Sequence, residues 1–210
     1  AKNYFILGLV MALGFLSKYL FIYLILGIII FYFYFIKKNN FKIIHVLPGI
    51  IFLIIIFPHI LWLTENNYIT ILYGLKRTGE TKVFLDHIIQ PLTFLSKQIA
   101  ILIPFFLISF FLIQKKSEIN CNYKNDNLIY LLVVNFAPLL LIFLTSLLMG
   151  AKIRTMWMTP FYLYFGTLFI YFFQTKINLD NIKKFYVTFI FFFLLSPFLY
   201  GYISITQKNK

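Results

Sequence analysis

Apolar residues run almost unbroken through residues 19–36, 43–63, 128–149 and 185–205. A hydrocarbon core of about 30 Å needs roughly 20 residues at about 1.5 Å per residue, so each run predicts a transmembrane helix. Three shorter runs, 4–16, 99–113 and 161–173, reach spanning length only by recruiting flanks such as 91–98 and 156–160. That gives about seven candidate spans. Segments in lipid must satisfy their own backbone as helices or closed barrels. Barrel strands alternate apolar and polar residues, whereas these runs are continuously apolar. The predicted fold class is all-α, a polytopic transmembrane helical bundle with an external loop of amphipathic helices.

Composition agrees. Of 210 residues, 61% are hydrophobic and 12% charged, against about 25% charged in soluble domains. That excludes a water-soluble globule, and the apolar content excludes disorder. The net charge of +13 comes from short basic clusters between apolar runs, which set orientation in membrane proteins. None is long enough to follow a nucleic-acid backbone, so no nucleic-acid partner is expected. The lone Cys121 excludes an internal disulfide and a thiolate metal site.

The connections fall into two sets. Residues 37–42, 114–127 and 174–184 carry nine Lys, among them Lys115, Lys116, Lys124 and Lys176, and no Arg. The positive-inside rule places this set in the cytoplasm. The turn at 17–18, the segment 64–98 and the segment 150–159 then face outside. Both arginines of the chain, Arg77 and Arg154, belong to this outer set, against a background of 17 Lys. A forked, permanently charged group suits phosphate or carboxylate.

Residues 58–98 hold most of the candidate chemistry. Within them lie Pro58, His59, Trp62, Glu65, Asn66, Arg77, Glu80, Asp86 and His87. The apolar residues of 69–75 and 83–89 recur at spacings that predict two short amphipathic helices on the membrane surface. They read either as an interfacial anchor or as one wall of an external active site. His59, Trp62 and Asn66 share one helix face, and Trp62 at that depth is also an ordinary interface anchor. Lys18 either snorkels to the surface or faces a cavity that holds an anion. Lys152 and Arg154, in a short loop ending at Trp157 and Pro160, read as solvated charges or as anion ligands. Asn135, ahead of Pro138, reads as an interhelical hydrogen-bonding group.

Several chemistries lack their residues. No HExxH-type metal spacing and no Gly-rich phosphate loop occur. Ser146 and Ser196 have no Gly-x-Ser-x-Gly elbow. No metal or cofactor is expected.

Residues 8–19, GLVMALGFLSKY, resemble the GLxxGLGFLTKY segment of bacterial membrane glycosyltransferases related to dolichyl-phosphate-mannose protein mannosyltransferases, the group of the lipid A aminoarabinose transferase. Pro58, Trp62, Asn66, Tyr68, Tyr73, Gly74, Leu75 and Arg77 are similar to a second segment of that group. Lys152, Arg154, Trp157, Pro160 and Tyr162 are similar to a third. The three come in the family's order. The resemblance implies a GT-C type bundle that moves a sugar from a polyprenyl-phosphate donor to a lipid, protein or glycan acceptor. The active face is then periplasmic, on a bacterial inner membrane. It also implies a catalytic acid in a first external loop, upstream of Ala1, so residues 1–210 read as a single transmembrane domain from the C-terminal part of a longer chain, with 62–98 as its external loop. Lys18, Arg77, Lys152 and Arg154 become candidate ligands of the donor phosphate. His59, Trp62, Glu65, Asn66 and Trp157 become candidate acceptor or cavity residues. A transporter or lipid flippase and a non-catalytic envelope-assembly protein are the alternatives.

Overall fold

The computed structural model describes residues 1–78, 83–113, 125–173, 177 and 179–207, with Leu179 and Gln207 by backbone alone. Glu80, Lys115, Lys116, Cys121, Lys124 and Lys176 lie outside the described residues. The described chain is helical: α1 (Lys2–Ser17), α2 (Ile22–Asn39), α3 (Leu47–Glu65), α4 (Ile69–Thr78), α5 (Asp86–Phe110), α6 (Asp126–Met149), α7 (Phe165–Phe173) and α8 (Ile182–Gln207), with short 3-10 turns between several of them.

Among the described residues, five stretches are long and apolar enough to cross a membrane: Tyr19–Asn39, Ile43–Glu65, Asp86–Phe110, Asp126–Met149 and Ile182–Thr206. This is a multi-pass membrane protein with an all-α fold. Two of the expected spans stay short. Helix α1 has 16 residues, a rise of about 24 Å, and α7 has nine. Residues 99–110 of the run 99–113 instead belong to the 25-residue α5, which starts at Asp86. The stretch 83–89, read as a second surface helix, therefore forms the lead-in and first turn of a spanning helix. Only 69–78 makes the separate amphipathic helix, α4.

The chain splits into two compact units: residues 1–96 with 122–168, and residues 97–121 with 169–210. In the first unit α1 runs parallel to α3. Tyr4 meets His45 at 5.5 Å between ring centroids, and further along Phe15 meets Phe52 at 6.2 Å. Helix α2 runs antiparallel to α6, with Phe31 against Tyr130 at one end and Tyr23 Oη donating to Thr145 Oγ1 (3.1 Å) at the other. Both pairs close on glycine. A Cβ on Gly8 would sit 2.5 Å from the Pro48 carbonyl oxygen, and one on Gly27 would sit 2.8 Å from Ala137 Cβ. Small residues allow such backbone approach where lipid offers no hydrophobic drive. Phe94, Ile142, Met158 and Phe161 form a buried core where α5 and α6 meet the segment ahead of α7.

The first unit has two ends. At one, Lys38 pairs with Asp126 at 2.7 Å. At the other lie the turn at Lys18, the C-termini of α3 and α6, helix α4 and the start of α5, where His87 Nδ1 donates to the Leu147 carbonyl (2.9 Å). Asn135, fully buried, donates from Nδ2 to the Leu131 carbonyl (2.7 Å) and to the Tyr164 carbonyl (3.4 Å), just before α7 begins. It thus serves the backbone where the chain breaks inside the apolar layer.

In the second unit Phe105 packs edge-on against Phe169 at 6.0 Å, and Ile113 bridges to Ile177. Helix α8 exposes apolar side chains along its length, among them Phe193 and Phe198, a surface suited to lipid tails.

Candidate functional site

Helix α1 stops because Lys18 turns extended, at φ −160° and ψ 118°. Its N–H still reaches the Gly14 carbonyl (3.1 Å), and its own carbonyl accepts from Phe21 N–H (2.9 Å), which starts the next turn. A Cβ on Gly14 would enter the Phe21 ring, so the tight exit depends on that glycine. The exit leaves Lys18 half-buried, with Nζ donating to the Trp157 carbonyl at 3.4 Å.

Lys18 and Ser17 form one rim of a cavity of about 510 Å³. Met11 and Ile28 line its length, and Tyr130 and Tyr164 also border it. From Lys18 to Leu7, also in the wall, α1 rises roughly 16 Å. The lining is almost wholly apolar below the rim, and among the described residues no carboxylate pairs with Lys18. A cation backed by an apolar groove is complementary to a molecule with an anionic head and a hydrocarbon tail.

The other predicted cations reach the same end of the unit without lining that cavity. Lys152 N–H donates to the Thr78 carbonyl (3.0 Å), which ties the 150–159 segment to the end of α4 beside Arg77. The Arg77 guanidinium lies over its own helix's Tyr73 ring at 5.1 Å and is exposed. Arg154 is exposed, and its carbonyl accepts from Trp157 N–H (3.0 Å). So Trp157 connects Lys18 to Arg154, and Lys152 connects to Arg77 through backbone.

His59 belongs to a different cluster. Tyr19 Oη stands 2.8 Å from His59 Nε2 and 2.8 Å from Thr70 Oγ1. The His59 ring stacks on Trp62 at 5.8 Å with 13° between planes. Asn66 Nδ2 donates to the Trp62 carbonyl (2.8 Å), which finishes α3, and Glu65 is the exposed last residue of that helix. Asp86, the first residue of α5, accepts from Val83 N–H in the turn ahead of it (3.2 Å). Among the described residues no group of three or more His, Cys, Asp or Glu could hold a metal ion.

Sequence reasoning passed over Tyr19, Thr70 and Tyr164. Tyr19 was visible as the neighbour of Lys18. Its partners lie 40 and 51 residues away, a pairing that periodicity does not encode. No family model, curated protein or solved structure matches this chain.

Proposed function

We propose that the protein is a membrane glycosyltransferase that moves a sugar from a polyprenyl-phosphate donor to a hydroxyl of a lipid, protein or glycan acceptor. The Lys18 end would face the periplasm across a bacterial inner membrane. The observation that carries the reading is half-buried Lys18 at the rim of an apolar cavity inside a spanning bundle. Four cations at that end, Lys18, Arg77, Lys152 and Arg154, add support, as do the three ordered segments that resemble the family.

In the proposed step the bond between the anomeric carbon and the donor phosphate oxygen breaks. The acceptor oxygen bonds to that carbon and gives its proton to a carboxylate base. Negative charge grows on the departing phosphate, so a fixed cation in a water-poor setting stabilises the transition state more than the ground state. Lys18, half-buried beside the apolar cavity, is the cation we assign to that contact. Arg77, Lys152 and Arg154 supply a positive field that draws an anionic headgroup to this end. Asp86 is engaged by the Val83 N–H in the turn that leads into α5. The resemblance assigns that base to an acid of a first external loop, and the exposed Glu65 is a poor substitute for it.

The test uses the full-length protein in membranes with a labelled polyprenyl-phosphate sugar. Release of polyprenyl phosphate is expected from the native protein. Lys18→Met should weaken donor binding roughly tenfold to a hundredfold, the worth of one charge-assisted contact. Binding without cleavage would overturn transfer in favour of a lipid carrier, and unchanged binding by the variant would remove Lys18 from the site.

A further inference from the structure

By sequence Lys97 belongs to the polar flank of the run 99–113, at the edge of lipid. The continuous helix α5, Asp86–Phe110, moves it inward. Lys97 stands about 16 Å along that helix from Asp86 and about 20 Å from Phe110. An α5 that spans a hydrocarbon core of about 30 Å therefore carries Lys97 near the middle of it. The side chain is exposed there, and among the described residues no carboxylate pairs with it. Either end of the helix is further away than a four-carbon stem reaches, so snorkelling does not return the ammonium to water. A charge at that depth is costly unless something meets it.

Lys97 is one member of a stripe. Gln90, Thr93, Lys97 and Ala100 follow one another at steps of three, four and three residues, which places them on one face of α5. Gln90 and Thr93 are half-buried, and Lys97 and Ala100 are exposed. Phe94, on the neighbouring face, is sealed in the core with Ile142 and Met158. The stripe therefore borders the packed side of the helix and is itself left open. Side chains that hydrogen-bond across helices, beside a small residue that lets a backbone approach, are the materials of transmembrane helix contacts.

The charge decides what kind of helix fits. Lipid phosphates lie at the bilayer surface, half a membrane away from Lys97. A second copy of residues 1–210 brings no counter-charge either. Of the six acidic residues, Glu65, Asp86 and Asp126 terminate spanning stretches, and Glu80, Glu118 and Asp180 fall between them in the sequence. We infer that the open stripe of α5 docks a transmembrane helix of a partner protein, and that a carboxylate near the middle of that helix pairs with Lys97. Water is scarce at that depth, so the attraction is screened less than at a surface. It also sets the register, since a carboxylate near either end of the partner helix misses the ammonium. None of these residues lines the Lys18 cavity, so this pairing and sugar transfer stand or fall separately.

The probe is a Leu-rich spanning peptide with one central Glu, compared with peptides that carry Gln at the centre or Glu near one end. Each is titrated against the fluorophore-labelled full chain in phosphatidylcholine vesicles, and binding is read by energy transfer. The central-Glu peptide should bind about tenfold tighter than either control. Lys97→Met should remove that preference, Lys97→Arg should keep it, and Lys97→Glu should transfer it to a peptide with a central Lys. Because Lys97→Met takes an unpaired charge out of lipid, that variant should melt no lower than the native protein. Equal binding of the central Glu and Gln peptides by the native protein overturns the inference, as does a Glu preference that survives Lys97→Met. A preference that vanishes when phosphatidylglycerol replaces phosphatidylcholine puts the ammonium against lipid phosphate. Self-association of the native chain that Lys97→Met abolishes puts it against a second copy. Either of these results also overturns the inference.

Discussion

Gly8 marks the closest approach of α1 to α3, with Pro48 and Ile51 on the facing turn. In lipid that contact is van der Waals packing with little hydrophobic reinforcement, so one methyl group matters. Gly8→Ala should lower stability by about 1–3 kcal/mol, the usual cost of overpacking, read as a fall in melting temperature in detergent. Gly74→Ala, where a Cβ meets open space on α4, should be neutral or slightly stabilising by helix propensity. Gly8 was legible in the sequence as part of the GLVMALGFLSKY segment, and so was Lys18, because a cation that interrupts apolar runs has few places to go. Which neighbours each would meet was not legible. Lys18 finds a carbonyl 139 residues away, and residue type alone carries no information about that distance.

Helix α4 shows how a local pattern and a tertiary clamp combine. The sequence gives it an amphipathic period, and its apolar residues Ile69, Leu72 and Leu75 remain exposed, as an interfacial helix requires. Two contacts tie it to the bundle: the Tyr19 hydroxyl, which bridges α3 and α4 through His59 and Thr70, and the Thr78 carbonyl, which accepts from Lys152 N–H. The turn into α4 also stores strain. Asn67 and Tyr68 have φ of 52° and 54°, and Tyr68 N–H closes back on the Leu63 carbonyl (2.9 Å). Asparagine adopts that region with ease; tyrosine does not. Removing one hydroxyl from this clamp should free the element. Tyr19→Phe is expected to speed amide exchange across 69–78 by roughly tenfold, from a loss of about 1–2 kcal/mol, with α6 unaffected. Equal protection in both proteins would show that α4 is held by something else. The lead-in to α5 misled for a related reason. Gln90, Thr93, Ser96, Lys97 and Gln98 dilute its first turns, so 83–89 resembled a separate surface helix. Pro91 and Gln98 are in fact buried within one long helix.

On the scale of the molecule, the long apolar runs and the all-α class followed from hydropathy and length, because lipid leaves the backbone few options. Pairing did not. Parallel α1–α3 and antiparallel α2–α6 packing depends on where small residues allow contact, and the cavities between the pairs are a product of that packing. The short α7 was hidden too, since Asn135 satisfies the broken backbone from a helix some 30 residues earlier. These pairings give the proposed function its physical content: a positive rim at one end and an apolar cleft behind it. The most direct measurement of that claim is photo-crosslinking of the full chain in membranes with a diazirine-bearing polyprenyl phosphate, followed by peptide mapping. A diazirine near the phosphate should label residues around Lys18 and Trp157. One placed along the tail should label α1, α2 and the wall at Tyr130 and Tyr164, with both patterns suppressed by unlabelled polyprenyl phosphate. Labelling spread over α8, or insensitive to that competitor, would contradict the account.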